Sequence, residues 1–334
     1  MSAAPILEVR DLTTVFETDE GMAHAVDGVS FTLSRGETLG LVGESGCGKS
    51  VTAMSIMRLI RPPGRIASGS ILFLGQDLLA LTEREMRALR GTEIGLVFQE
   101  AMTSLNPVFT IGDQLTEVLL YHSNNNWTDA YTLSVDMLNR VGIPDPESAM
   151  SAYPHQLSGG MRQRALIAMG LVARPSIIIL DEPTTAIDVT VQAQVLRLIN
   201  DLKMEFGMTV LLITHDLGVV AEVCDRVAIM YASHIVECGT VLDIYRRPRH
   251  PYTVGLLASI PSFHRRGEKL TIIPGQVPRP TNYPAGCNFH ARCEYATETC
   301  VLHAPPLEPI DMQHTVACWN WKEVGIPATV HRPE

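Results

Sequence analysis

The stretch Gly43-Glu44-Ser45-Gly46-Cys47-Gly48-Lys49-Ser50 sets glycines, a lysine and a hydroxyl in the order G-x-x-x-x-G-K-[ST]. Glycines at this spacing let backbone N–H groups turn inward around phosphate oxygens. Lys49 then reaches the β- and γ-phosphates, and the Ser50 hydroxyl holds Mg²⁺. The apolar Leu39-Gly40-Leu41-Val42 reads as a strand feeding the loop. Ser50 is expected to open a helix with Val51, Met54 and Met57 at helical spacing, so that Gly43 through Val51 form the phosphate-binding stretch and a positive helix N-terminus faces the anion.

A second constellation is Ile177-Ile178-Ile179-Leu180-Asp181-Glu182. A buried aliphatic strand that ends in carboxylates brings an acid to a metal beside such a loop. Asp181 suits the Mg²⁺ side, and Glu182 suits a general base that polarises an attacking water. A third is Leu157-Ser158-Gly159-Gly160-Met161, ahead of the apolar Ala165–Val172. Ser158 reads as an N-cap, and the bare Gly159-Gly160 turn makes a second anion cradle.

These stretches need a sheet to carry them. Residues 6–35 alternate in short apolar and polar runs, which predicts antiparallel strands. Strand-type runs at Ile94–Phe98, Ile177–Leu180 and Thr209–Ile213 alternate with helix candidates Val191–Phe206 and Val219–Val223. That alternation predicts a parallel sheet with helices packed on it. Between residues 100 and 165, helical periodicity over Ile111–Tyr121 and Asp129–Val141 predicts a helical insert. Past residue 248 prolines thin out regular structure and four of the seven cysteines fall within residues 287–318, which predicts a loop-rich extension pinned by something other than a large core.

Composition narrows the partners. The 334 residues are 46% hydrophobic and 19% charged, ample for a core, and the net charge of −10 argues against nucleic-acid binding. No apolar run approaches the ~18 residues that span a bilayer, and no basic, apolar leader opens the chain. An odd, uneven cysteine count does not make a secreted disulfide framework. A cytosolic protein is expected.

Taken together, the set resembles the ATP-binding subunits of ABC transporters, and the LSGGM run is similar to that family's signature loop. The resemblance implies an α/β phosphate-loop ATPase of the ABC type, with antiparallel N-terminal strands and a helical insert. It implies that the signature loop, Ser158, Gly159 and Gly160, closes on the ATP of a partner protomer. Phe16 looks like the aromatic that stacks on adenine, and Gln99 like the Q-loop residue that touches Mg²⁺. Asp188 looks like the D-loop aspartate, and His215 like the switch histidine near the γ-phosphate.

Three further runs narrow the likeness to dipeptide/oligopeptide importer ATPases: Phe98–Pro107, Tyr153–Gln156 and Arg247–Thr253. Relatives of that kind also serve nickel, opines and glycosides, and a soluble ABC ATPase outside transport is the remaining rival. Cys47 stands where serine is commoner, which suggests a phosphate loop sensitive to thiol modification. Cys224 and Cys238 read as small core residues.

Cys287, Cys293, Cys300 and Cys318 follow the spacing C-x5-C-x6-C-x17-C. By their chemistry alone they suit zinc, an iron–sulfur cluster or buried free thiols. The resemblance implies a [4Fe–4S] cluster, with zinc as the alternative. It also implies an ATPase domain over 1–248 and an extension over 249–334. The expected partners are a second ATPase subunit, two transmembrane permeases and an extracytoplasmic solute-binding protein. The expected site is peripheral, on the cytoplasmic face of the inner membrane.

Overall fold

The computed structural model describes residues 4–98, 104–122, 126–184, 189–260 and 272–325. The chain divides into two compact units: Met1–Leu79 with Ile213–Glu334, and Ala80–Leu212.

In the first unit, strands β1 (Leu7–Thr18), β2 (Gly21–Leu33), β4 (Gly64–Phe73) and β5 (Gln76–Asp77) form an antiparallel sheet in the order β2-β1-β4-β5. Their half-buried alternation is what the 6–35 pattern predicts. Strand β3 (Thr38–Val42) is buried at every residue, runs parallel to β9 (Arg226–Tyr231), and delivers the phosphate loop at its C-terminal end. Strand β10 (His234–Thr240) pairs antiparallel with β9 and carries β12 (His314–Val316) and β11 (Glu308–Asp311) on its far edge. The C-terminal stretch therefore extends the sheet that carries the loop.

That stretch is also packed. Phe289 is buried against Tyr231, Tyr252 and His250, with ring centroids 5.1, 5.6 and 5.6 Å away. Burying such rings is worth roughly 1.5–3 kcal/mol each. The expectation of a tail lacking core support is corrected here: isolated aromatics between prolines carry no periodicity, so their shared destination was not visible.

In the second unit β6 (Ile94–Val97) and β7 (Ile177–Asp181) pair in parallel, and β8 (Thr209–Thr214), which begins there, lies beside β7. Continuous apolar runs such as Ile177–Leu180 belong to strands covered on both faces. Between β6 and β7 the chain forms the helices Ile111–His122, Trp127–Arg140, Pro146–Ser151 and Gly159–Leu171. Trp127–Arg140 starts where the Asn126 side chain accepts from the Asp129 amide at 2.9 Å, ends with Arg140 in its last turn, and buries Ala130, Ser134, Met137 and Leu138. The mixed α/β fold with an antiparallel N-terminal sheet is the one the sequence predicts.

Candidate functional site

The first unit holds the phosphate loop. Gly46 and Gly48 take φ of 80° and 103°, the left-handed region that favours glycine. A Cβ on Gly48 would stand 2.2 Å from the Ala25 carbonyl oxygen, and one on Gly43 would stand 2.1 Å from that of Met230. No side chain fits at either place, so the loop can only close with glycine there. Its backbone is tied down from afar: the Glu44 amide donates to the Tyr252 hydroxyl at 3.0 Å, and the Ser233 amide donates to the Cys47 carbonyl at 3.2 Å.

Lys49 is buried, and its ammonium donates to the carbonyls of Gly43 at 2.7 Å and Glu44 at 3.1 Å. A cation is thus held over a loop of glycine amides, the charge and donor set that a polyphosphate requires. The helix Lys49–Ile56 begins one residue ahead of Ser50, with Gly48 at its N-cap. It buries Thr52, Ala53 and Ile56, while Val51 and Met54 of the expected stripe are only half-buried. Ser50 is half-buried in its first turn.

Cys47 does not match the expected thiol sensitivity. Its side chain is 1% exposed, and burial pushes the thiol above its ordinary pKa despite the nearby Lys49. A protonated, inaccessible thiol is a poor nucleophile.

Phe16 lies half-buried near the end of β1 over Gly64, where a Cβ would come within 2.4 Å of its ring. His215 is exposed just past β8, ahead of the helix Leu217–Val223, whose N-cap Asp216 accepts from the Gly218 amide at 2.7 Å. Cys224 and Cys238 both lie inside this unit: Cys238 is buried beside Arg226, and a Cβ on Gly40 would meet the Cys224 sulfur at 3.1 Å.

The second unit holds the acidic strand end and the serine-glycine turn. Asp181 closes β7 and is buried. Glu182 follows with φ of 47°, an uncommon conformation for a non-glycine residue, of the kind that clusters at functional sites. Ser158 caps the helix Gly159–Leu171, accepting from the Met161 amide at 3.3 Å. Gln163 of that helix is buried and donates to the Pro183 carbonyl at 2.7 Å. The serine-glycine turn is thereby fastened to the segment after Glu182. Sequence reading passed over Gln163, which looks like an ordinary polar residue in an apolar helix. Gln99 and Asp188 lie outside the described residues.

The cysteine expectation is altered. Cys287, Cys293, Cys300 and Cys318 all line one narrow cavity in the first unit, each as a free thiol. Among the described residues, however, no three or more His, Cys, Asp or Glu side chains are arranged to hold a metal ion. The [4Fe–4S] cluster is therefore unsupported by this arrangement. Burial, with a smaller push from neighbouring cysteines, raises Cys293 to about 11 and Cys318 to about 12, so these two thiols stand protonated.

Residues 26–185 match the family model described as ABC transporter, and residues 236–300 match that of the oligopeptide/dipeptide transporter C-terminal region. The chain is 52% identical over 316 residues to the oligopeptide transport ATP-binding protein OppD of Bacillus subtilis, covering 94% of this chain and 88% of the relative. It is 48% identical over 315 residues to OppD of Salmonella typhimurium, covering 94% and 93%. Among solved structures it resembles cbiO1 from Clostridium perfringens, part of the ABC transporter complex cbiONQ, at TM-score 0.62 and 26% identity over 73% of this chain and 91% of that one. A dimeric, post-hydrolysis ATP-binding cassette, MJ0796 bound to ADP and Pi, shares the fold at TM-score 0.64 and 24% identity, over 70% and 98%.

Proposed function

Because the chain belongs to the ATP-binding subunits of oligopeptide/dipeptide ABC transporters and is an ABC-type ATPase, we propose that it powers peptide import by closing with a second cassette around two Mg·ATP. The observation that carries the nucleotide role is the loop that only glycines can form, with Lys49 buried above it. The solute class rests on the OppD relatives and on the matched C-terminal region.

In this reading the loop amides of Gly43–Val51 and Lys49 hold the phosphates and Phe16 packs on the adenine. Ser50, Asp181 and Gln99 are the residues that would hold Mg²⁺, which neutralises phosphate charge. Glu182 takes the proton of a water that attacks the γ-phosphorus as the bond to the bridging oxygen breaks and ADP leaves. His215 is the residue that would hydrogen-bond the γ-phosphate, and Asp188 is assigned the role of the D-loop aspartate. Ser158, Gly159 and Gly160 close on the partner's ATP. The ATPase portion is taken as 1–248, with the helical insert at about 100–165, and the extension as 249–334.

No helix among the described residues is long and apolar enough to cross a membrane. On the strength of the peptide-transporter likeness, the partners are two permease subunits and an extracytoplasmic solute-binding protein, with this chain peripheral on the cytoplasmic face. A [4Fe–4S] cluster or zinc on Cys287, Cys293, Cys300 and Cys318 would need these free thiols to rearrange, because as they stand no three side chains among the described residues are set to hold a metal.

Reconstitution with the permeases and binding protein in proteoliposomes tests the reading. ATP hydrolysis should rise with added oligopeptide, peptide should accumulate inside, and Lys49→Ala should abolish both. Accumulation of nickel or a glycoside instead would overturn the solute class and leave the ATPase standing. Iron, sulfide and zinc assayed on the same anaerobic preparation address the cysteines: about four iron and four sulfide per chain means the cluster.

A further inference from the structure

The phosphate loop carries a carboxylate of its own. Glu44 belongs to the stretch whose amides face the phosphates, so an unbalanced charge there opposes binding of a polyanion. It is balanced from 248 residues away: the Arg292 guanidinium spans both Glu44 oxygens, at 3.1 and 3.3 Å. This is a fork-to-fork pair, with Arg292 6% and Glu44 29% exposed at the side chain.

Arg292 is set before it meets Glu44. Its Nε donates to the Pro274 carbonyl at 2.9 Å and its Nη2 to the Ile273 carbonyl at 3.3 Å. Its guanidinium also lies over the rings of Tyr231 and Phe289, at 5.6 and 5.8 Å. The short turn His290–Arg292 that carries it is hung between two of the cavity cysteines. The His290 amide donates to the Cys287 carbonyl at 3.0 Å, and the Cys293 amide donates to the His290 carbonyl at 3.2 Å.

We infer that Arg292 is a positioning residue of the nucleotide site, neutralising Glu44 so that the cysteine-bounded turn sets how tightly the phosphate loop holds a nucleoside triphosphate. This rests on the nucleotide reading of the loop given above. The turn and the loop then form one mechanical and electrostatic unit, and whatever fixes Cys287 and Cys293 also fixes the charge balance at Glu44.

The test is equilibrium binding of trinitrophenyl-ATP with Mg²⁺ to the full chain, read beside its melting temperature. Arg292→Gln should weaken binding by about tenfold, because one charge of a partly buried pair is left without its partner. Adding Glu44→Gln to Arg292→Gln should restore binding to within about threefold of the parent, since the opposing charge is then gone. A purely structural Arg292 would give no such rescue, so a double variant as weak as Arg292→Gln overturns the proposal. Binding unchanged in Arg292→Gln does so too. If Arg292→Gln fails to fold, Glu44→Gln alone decides: with Arg292 facing the phosphates unopposed it should bind several-fold tighter, and equal or weaker binding overturns the proposal. A parent chain that binds no nucleotide at all would instead sink the underlying reading, an outcome separate from every one above.

Discussion

Glu182 holds a left-handed backbone conformation directly after a strand whose last residue, Asp181, is buried. In the proposed reading the pair divides the work that two carboxylates can do, Asp181 on the metal side and Glu182 as the base for water. Replacing Glu182 by Gln keeps shape and hydrogen-bonding reach but removes the base. Phosphate release should fall by roughly 10²- to 10⁴-fold, the usual worth of a positioned general base, while Mg·ATP binding is retained. Phosphate-release kinetics and equilibrium binding on one preparation check this, and normal turnover would remove Glu182 from that role. Residues of this kind are legible in sequence because their partners are local: glycines, lysine and hydroxyl lie within eight positions. Tyr252 and Arg292 are not. They reach Glu44 across 208 and 248 residues, and no spacing rule connects an isolated tyrosine or arginine to a loop so far upstream.

Among the elements, the helix Pro251–Ala258 shows how a stretch useful only as a resemblance acquires a physical reason. Pro251 sits at its first turn, and His250 is the N-cap, accepting from the Tyr252 amide at 3.0 Å through Nδ1. That acceptor role demands a neutral ring. Full burial enforces it, holding His250 at about 3 against an ordinary 6.5. Between those values the unfolded chain binds a proton that the folded chain refuses, so stability falls as pH drops below about 6.5. The loss should be about 1 kcal/mol between pH 7 and 5.5. His250→Asn preserves a capping acceptor without a titrating group, so its melting temperature should depend less on pH over that range. Equal pH dependence in both chains would show that other groups govern it. Because Tyr252 holds the Glu44 amide, this cap also steadies the phosphate loop. The helix at Lys49 is the contrary case. Its apolar spacing predicts a Val51, Met54 and Met57 face, yet of these only Met57 is buried, and tertiary packing covers Thr52, Ala53 and Ile56 instead.

At the scale of the whole molecule, Ser158 is explained as a helix cap and a Cβ on Gly160 would stand 3.3 Å from Val191, but nothing nearby in the chain calls for a glycine at Gly159. Gly43 and Gly48 are glycines because backbone oxygens stand where a Cβ would go, whereas a Cβ on Gly159 would meet nothing within 4 Å. The turn is exposed at Ser158 and Gly159, and it opens a 13-residue helix whose N-terminal amides favour an anion. A bare surface of this kind is what a second cassette's bound triphosphate would require. Gly159→Arg should therefore leave folding nearly untouched, within about 1 kcal/mol, since the chain itself offers no clash and a helical glycine is easily replaced. It should prevent association. In a Glu182→Gln background, where ATP is held unhydrolysed, light scattering should find a dimer with Mg·ATP, and the added Gly159→Arg should return it to a monomer of unchanged melting temperature. A dimer that persists would place the bare turn outside the interface and leave the anion cradle at Ser158 without a partner's phosphate to hold.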